Sequence, residues 1–464
     1  MIYELDKNHL DDLRIQVRDI TFDIIRQIHK RMDMSKQIGN IKKTLDIDIE
    51  DEKVEQELKN QVSILSNELG LDNEFTGKII NLILQESVKI QKNFVNSTDN
   101  NIQTHMAIFM KAKELEKKGK KIIHMEVGEP DYPPPKNIKK VLSTVYDKKY
   151  YHYTEISGIP KLRESIATKL DKKLTPENII ITPGGRFGVF AAIISLLKFG
   201  DELIYIEPSW PAYKECADLL GIKTRVLNTN INEDWTPNIS NLEKLINVNT
   251  KMIVLNYPNN PTGKILDKTV LDKIISMARK NNLYVLSDEV YSDYSFKKFT
   301  SLLDYEYENG IIISSFSKRY AMTGFRVGYC ISTTSIISKI KKIQATAITS
   351  VAEPMQYCAL SALENETNSN CDLIKDRLDF IVERLNKIGL KFIKPDGAMY
   401  VYPKLNSTRF SNDMELVNIM LDHGVAISPG SGFGKSYNEF IRLSACQPTE
   451  LLKKGMDILE KFII

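Results

Sequence analysis

A chain of 464 residues is too long for one compact core, and 42% hydrophobic with 27% charged residues is the balance of ordinary globular protein, so two or three domains are expected. Sixty-three Lys and Arg against 60 Asp and Glu leave a formal net charge of +3, which excludes the strongly basic footprint of a nucleic-acid binder. From the N-terminus, Leu10, Leu13, Val17, Ile20, Ile24, Ile28, Ile38 and Ile41 recur at three-to-four spacing with no Gly or Pro before Gly39, which predicts one long amphipathic helix. Two further helices are expected over about 54–68 and 73–92, and the polar run ending at Asn101 reads as a linker. The chain therefore divides into a helical domain at 1–93, a linker at 94–101 and a second region at 102–464. There, short apolar runs (Ile179–Thr182, Glu202–Ile206, Met252–Asn256, Leu283–Leu286, Ile311–Ile313) alternate with helical segments, the pattern of a mostly parallel sheet covered by helices.

Five cysteines (Cys216, Cys330, Cys358, Cys371, Cys446) are odd in number, scattered and without metal-ligand spacing, which predicts buried thiols in a reducing compartment and no metal site. The first residues lack a basic segment followed by an apolar one, and runs such as Phe190–Leu197 are too short to span a bilayer, so a cytoplasmic location is expected.

Chemistry gathers at the ends of the apolar runs. Lys318 follows one of them among hydroxyls, with Arg326 eight residues on. A lysine so placed can form a Schiff base with an aldehyde, and Ser315, Ser317 and Arg326 offer donors for a phosphate. That combination suggests pyridoxal 5'-phosphate. Asp288, just past another run, can keep a pyridine nitrogen protonated and strengthen the ring as an electron sink. Tyr291 can donate to the ring's phenolic oxygen, and Asn260, in a proline-fixed turn, can share that oxygen. In Thr182-Pro-Gly-Gly-Arg-Phe-Gly188, bare backbone at Gly184 and Gly185 ahead of a helix is a natural phosphate cradle. Singly these are loop signals, and together at strand ends they point to one cofactor site.

With Gly128-Glu-Pro-Asp131, Tyr153-Thr-Glu-Ile-Ser-Gly158, Trp210 and Arg442, these motifs resemble, over about residues 102–464, the fold-type I pyridoxal phosphate aminotransferases of class I/II, in the aspartate, aromatic and prephenate group. The resemblance implies the α/β pyridoxal phosphate-dependent transferase fold, with a large mostly parallel-sheet domain at about 146–350 and a smaller α+β domain from about 102–145 plus 351–464. It implies Lys318 as the cofactor-bearing lysine and proton-transfer base, Asp288 at the pyridine nitrogen, Asn260 and Tyr291 at the ring oxygen and Trp210 stacked on the ring. Gly185, the Arg186 backbone, Ser315, Ser317 and Arg326 would hold the phosphate. Arg442 would clamp the substrate α-carboxylate in a pocket lined by Gly128. Tyr153 would reach the phosphate of a neighbouring subunit's cofactor, which implies a homodimer or higher homo-oligomer. Read in isolation, Trp210 is a space-filling tryptophan and Arg442 a surface arginine on a strand.

The first helix carries Arg14, Arg31 and Lys42. At about 1.5 Å per residue, Arg31 and Lys42 are roughly 16 Å apart on one face, able to bracket a small dianion, whereas Arg14 is about 26 Å from Arg31 and can join only from an antiparallel partner helix. Asp51, Glu55, Ser87 and Gln91 follow, the last two four residues apart and so on one face. Each alone reads as a solvated helix position. Together they resemble the all-helical chorismate mutases over about residues 5–93, an all-α three-helix domain. That resemblance implies an entwined dimer in which Arg14 of the partner chain, Arg31 and Lys42 bind chorismate's carboxylates and ether oxygen. Gln91 would lie beside that oxygen and Glu55 near the ring hydroxyl, with Asp51 and Ser87 as further substrate contacts. The rearrangement is pericyclic and needs no nucleophile, only a reactive conformer and stabilised charge. Val54 departs from the pattern, since many members carry arginine there.

The two resemblances imply a bifunctional enzyme of aromatic amino acid synthesis. It would convert chorismate to prephenate and transaminate a 2-oxo acid (prephenate, an aromatic 2-oxo acid or oxaloacetate) with glutamate or aspartate. Arg186 stands where some relatives place a lysine for a distal carboxylate; a phosphate-loop arginine facing solvent is the alternative. Two other readings stay open: an aspartate or aromatic aminotransferase with a non-catalytic helical domain for dimerisation or regulation, and an aminotransferase-like transcription regulator. Asp11, Asp12, Asp19, Asp23 and Asp33 on the long helix argue against the last. The expected partners are chorismate, 2-oxo acids and amino acids, without nucleic acid or membrane.

Overall fold

The computed structural model describes residues 2–44, 48, 50–96, 105–170, 173–365, 370–405 and 409–463. The chain forms two units, Met1–Ile102 and Gln103–Ile464. Residues 97–101 of the expected linker lie outside the described residues, and 94–96 belong to the third helix.

The first unit is three helices, α1 (Ile2–Thr44), α2 (Glu52–Glu68) and α3 (Asn73–Asn96). α1 runs unbroken for 43 residues, with i,i+3 pairs such as Arg14–Asp11 at 3.1 Å and Arg26–Asp23 at 2.6 Å along its exposed side. α2 begins two residues before the expected position because Asp51 caps it, its Oδ1 accepting from the Lys53 and Val54 amides at 3.1 and 3.2 Å. α1 and α3 approach closely at Gly39, where a Cβ would lie 3.1 Å from the Gln91 Cα. Among the described residues of this unit, Leu84 alone is a buried hydrophobic side chain, while Leu10, Leu13, Val17, Ile20 and Ile24 are exposed.

The second unit contains twelve described strands: β1 (Ile123–His124), β2 (Ile179–Thr182), β3 (Glu202–Glu207), β4 (Lys223–Asn228), β5 (Thr250–Asn256), β6 (Tyr284–Asp288), β7 (Gly310–Ser315), β8 (Gly328–Ile331), β9 (Tyr400–Val401), β10 (Val425–Ala426), β11 (Ser428–Pro429) and β12 (Ile441–Ser444). Seven form one sheet in the order β2-β8-β7-β6-β5-β3-β4, parallel except that β8 runs against both its neighbours. The central strands are Ile/Val/Leu-rich because helices cover both faces. β4 and β8 escape the apolar-run signal. β4 is an edge strand carrying Lys223, Thr224 and Arg225, and β8 is a four-residue segment that starts on Gly328. β2, β5, β6 and β7 end side by side at Thr182, Asn256, Asp288 and Ser315, the edge at which open α/β sheets bind ligands.

A second core joins Ile108, Ala112 and Met125 to the helix Cys371–Lys387 and to the small sheets β11-β12-β9 and β1-β10. The expected domain boundaries need correction. Ile138, Val351, Cys358, Ala359, Leu360 and Ala362 belong to the core of the large sheet, because the helix Glu353–Glu364 packs on the helices Ile138–Asp147 and Pro160–Leu170. Cys216, Cys330, Cys358 and Cys446 are buried free thiols and Cys371 is partly exposed. Among the described residues, no helix is long and apolar enough to cross a membrane.

Candidate active site

The polar centre of the second unit forms where the strands of the large sheet end. Asp288 is buried at the tip of β6; its Oδ2 accepts from the Tyr213 hydroxyl at 2.6 Å and its Oδ1 from the Val290 amide at 3.3 Å. Burial pushes its carboxyl up to about 6, against those two hydrogen bonds and the charge of Lys318. Lys318 lies in the short helix Phe316–Arg319 just past β7, and its Nζ donates to the Gly128 carbonyl at 2.6 Å. Burial pulls its ammonium pKa down, which favours the free amine, the nucleophilic and basic form.

Two turns complete the surround. Asn260 donates its amide N–H to the Asn256 Oδ1 at 3.0 Å, while the Asn259 Oδ1 accepts from the Thr262 amide and hydroxyl at 3.0 and 2.8 Å and fixes the turn. Gly184 has φ +83°, and a Cβ there would lie 2.4 Å from the Arg326 guanidinium, so only glycine leaves the cradle open. Gly185 starts the helix Gly185–Leu196, whose first amides have no intrahelical partner. Arg326 is held by the Thr323 carbonyl at 2.7 Å and the Pro183 carbonyl at 3.5 Å. Ser315 caps the Lys318 helix, accepting from the Ser317 amide at 3.0 Å, and its Cβ lies next to Gly185. Bare amides, hydroxyls and a guanidinium thus converge beside a lysine whose pKa burial lowers and a buried carboxyl group. This set can hold a phosphorylated pyridine aldehyde.

Arg442, on β12, is only 2% exposed, which corrects the reading of it as a surface arginine. The alternation that made it look external is that of a strand with both faces covered. One of its terminal nitrogens donates to the Asn260 Oδ1 at 2.7 Å; the other donates to the Glu126 carbonyl and, at 3.2 Å, to the Ser428 hydroxyl. The Tyr400 and Phe433 rings flank it, with centroids 4.2 and 4.8 Å from the guanidinium carbon. Its Nε is buried without a hydrogen-bond partner among the described residues.

Tyr291 is buried with its hydroxyl 2.7 Å from that of Tyr400. Trp210 is half-buried, with Tyr213 edge-on at 5.5 Å and the exposed Arg186 guanidinium 4.6 Å from its ring centroid. Tyr153 is 87% exposed and contributes nothing to this cluster from its own chain. Tyr213, Asn256, Ser428 and Tyr400 escaped the sequence reading. Tyr213, three residues after Trp210, is the nearest to legible, since a buried phenol needs an acceptor, but the chain does not say which.

In the helical unit Arg31 donates to the Ser87 hydroxyl, which in turn donates to the Ile83 carbonyl at 2.7 Å. Burial lowers the Arg31 pKa. Gln91 lies one turn beyond Ser87 against Gly39, buried, with Oε1 lacking a partner among the described residues. Lys42 and Glu55 are half-buried. Asp51 is engaged as the α2 cap, and Arg14 pairs with Asp11 on the exposed side of α1.

Residues 120–459 match the family model described as Aminotransferase class I and II. The chain belongs to that family. Residues 13–92 of this aminotransferase match a second model, Chorismate mutase type II. An aspartate aminotransferase of Thermotoga maritima is 35% identical over 370 residues, 78% of this chain and 97% of the relative. The (5-formylfuran-3-yl)methyl phosphate transaminase of Methanocaldococcus jannaschii is 35% identical over 369 residues, 77% of this chain and 96% of the relative. Among solved structures, the aspartate aminotransferase of Thermus thermophilus with maleate superposes with a TM-score of 0.74 at 28% identity, covering 78% of this chain and 97% of that one. The aminotransferase thus carries a chorismate mutase domain at its N-terminus.

Proposed function

We propose that the protein is bifunctional: the helical domain rearranges chorismate to prephenate, and the aminotransferase domain transaminates a 2-oxo acid with glutamate or aspartate. What supports this reading is that each domain holds, beside its expected substrate contacts, a buried polar atom without a partner among the described residues: Nε of Arg442, a donor that a carboxylate can take up, and Oε1 of Gln91, which can accept from a substrate hydroxyl. Such atoms are costly unless a ligand satisfies them.

In the aminotransferase domain, Lys318 would carry pyridoxal phosphate, with Asp288 at the pyridine nitrogen, Asn260 and Tyr291 at the ring oxygen and Trp210 on the ring face. Gly184, Gly185, the Arg186 backbone, Ser315, Ser317 and Arg326 would take the phosphate, and Tyr153 would serve the neighbouring subunit. The cofactor, when bound, supplies an electron sink conjugated with the substrate's α-carbon. The chain does the rest. Arg442 orients the α-carboxylate, Gly128 keeps that pocket open, and the Lys318 Nζ takes the α-proton and returns it one carbon away, a role its lowered pKa suits.

In the mutase domain Arg31, Lys42 and Gln91 would bracket the substrate, with Glu55, Asp51 and Ser87 around it and Arg14 supplied by a second copy. The exposed stripe from Leu10 to Ile24 supports that second copy, because a unit with so little core needs a partner surface. Prephenate fits as amino acceptor because the same chain would make it, and Arg186 offers a guanidinium for a distal carboxylate. Comparing kcat/KM for prephenate, phenylpyruvate, hydroxyphenylpyruvate and oxaloacetate tests the acceptor. Chorismate disappearance tests the other half. If the wild type leaves chorismate untouched, the helical domain is a dimerisation or regulatory module, the second reading that its exposed stripe favours.

A further inference from the structure

Tyr400, on β9, touches three of the groups given roles above. Its hydroxyl is 2.7 Å from that of Tyr291, and its ring lies 4.2 Å from the Arg442 guanidinium carbon. At Gly128 a Cβ would fall 1.7 Å from the Tyr400 hydroxyl, so the phenol also dictates glycine at the residue whose carbonyl receives the Lys318 Nζ. Tyr400 is 1% exposed, so its hydroxyl has no bulk water to exchange with.

Two phenols sharing one hydrogen bond have two arrangements. If Tyr291 donates to Tyr400, its proton is used up. If Tyr400 donates, the Tyr291 proton is free for another acceptor. The Arg442 cation against the Tyr400 ring withdraws electron density from that phenol and makes it the better donor. We propose that Tyr400 is a positioning residue that donates to Tyr291, frees the Tyr291 proton for the cofactor's ring oxygen, and thereby ties that hydrogen bond to the arginine that receives the substrate carboxylate. The proposal rests on the roles given to Tyr291 and Arg442 above.

A donor at the ring oxygen competes with the proton held at the Lys318 nitrogen for the same negative charge. Weakening the donor makes that proton bind more tightly. In the holoenzyme the visible absorbance of the bound cofactor follows that proton, so a pH titration reads the effect without turnover. For Y400F the apparent pKa rises by about 0.3 of a unit or more, because Tyr291 loses the donor that polarises its own O–H; a fall, the sign expected if Tyr291 had been donating to Tyr400 and were released by the substitution, overturns the proposal. The KM for the amino donor stays within about twofold, since the ring still packs on Arg442, whereas Y400L raises that KM about tenfold. A Y400F titration that overlays the wild type overturns the proposal. In a Y291F background, Y400F adds no further shift; additive shifts overturn it as well, because Tyr400 would then act by another route. A wild-type protein that binds no pyridoxal phosphate overturns the underlying assignment, an outcome distinct from an unchanged Y400F titration.

Discussion

The two units solve the problem of holding polar chemistry in opposite ways. In the aminotransferase domain the charged groups are drawn inside and tied to named partners: Asp288 to Tyr213, Lys318 to the Gly128 carbonyl, Arg442 to Asn260, Glu126 and Ser428. Buried charge is tolerated only with such partners, and a seven-stranded sheet with its own cores holds them in place. In the helical domain the candidate cations and Glu55 lie half-buried or exposed on helix faces, only Ser87 and Gln91 of the candidates are buried, and much apolar surface faces outward. A large core can complete most of a site within one chain, whereas three helices can present half a site and an interface for the other half.

The largest expected effect separates the two activities outright. Lys318→Ala removes the amine proposed to carry the cofactor and move the proton, and is expected to lower transamination by at least about 10⁴-fold while chorismate consumption is unchanged. Loss of both in one assay series would mean that the two sites are not independent. The reciprocal variant, Arg31→Ala, lowers chorismate turnover by about 10²- to 10³-fold, the usual loss when a cationic stabiliser is removed, and leaves the cofactor absorbance as it was. A normal mutase rate in that variant would place the chorismate chemistry elsewhere or nowhere.

A smaller effect tests how closely the helices must pack. Gly39→Leu drives a side chain into the Gln91 backbone and destabilises the helical domain by about 1–3 kcal/mol, seen as a lower first melting transition with transamination retained. The smallest effect is one of pH. Burial holds Asp288 at about 6 and Glu289 at about 7, both above their ordinary values. The folded protein then binds more protons than the unfolded chain between roughly pH 4 and 7, so these groups make stability fall as pH rises through that window. In cofactor-free protein, Asp288→Asn and Glu289→Gln each flatten the slope of melting temperature against pH there. A slope unchanged in both variants would show that the burial cost is met elsewhere.

Much of the aminotransferase site was legible because its residues sit at strand ends, where short apolar runs stop and special backbone begins. Gly184, Asn260, Asp288 and Lys318 all carry that mark. Tyr213 and Tyr400 do not, because their hydroxyls meet Asp288 and Tyr291 across 75 and 109 residues of chain, and no local pattern records such a meeting. In the helical domain, spacing put Ser87 and Gln91 on one face, and the resemblance named the candidate residues, but neither recorded the contact of Ser87 with Arg31 across 56 residues.

Sequence alone settled the helices of the first unit, the apolar central strands of the second, the two-unit order and the residue types able to carry each chemistry, since periodicity and turn chemistry are local properties of the chain. Tertiary structure decided which side chains are buried, and with that which charges need partners. Arg442 makes the point: on a short alternating segment it looks external, and only the strands and rings packed around it turn it into a buried guanidinium whose Nε has no partner among the described residues. Burial is a property of what surrounds a residue, and those surroundings come from distant parts of the chain.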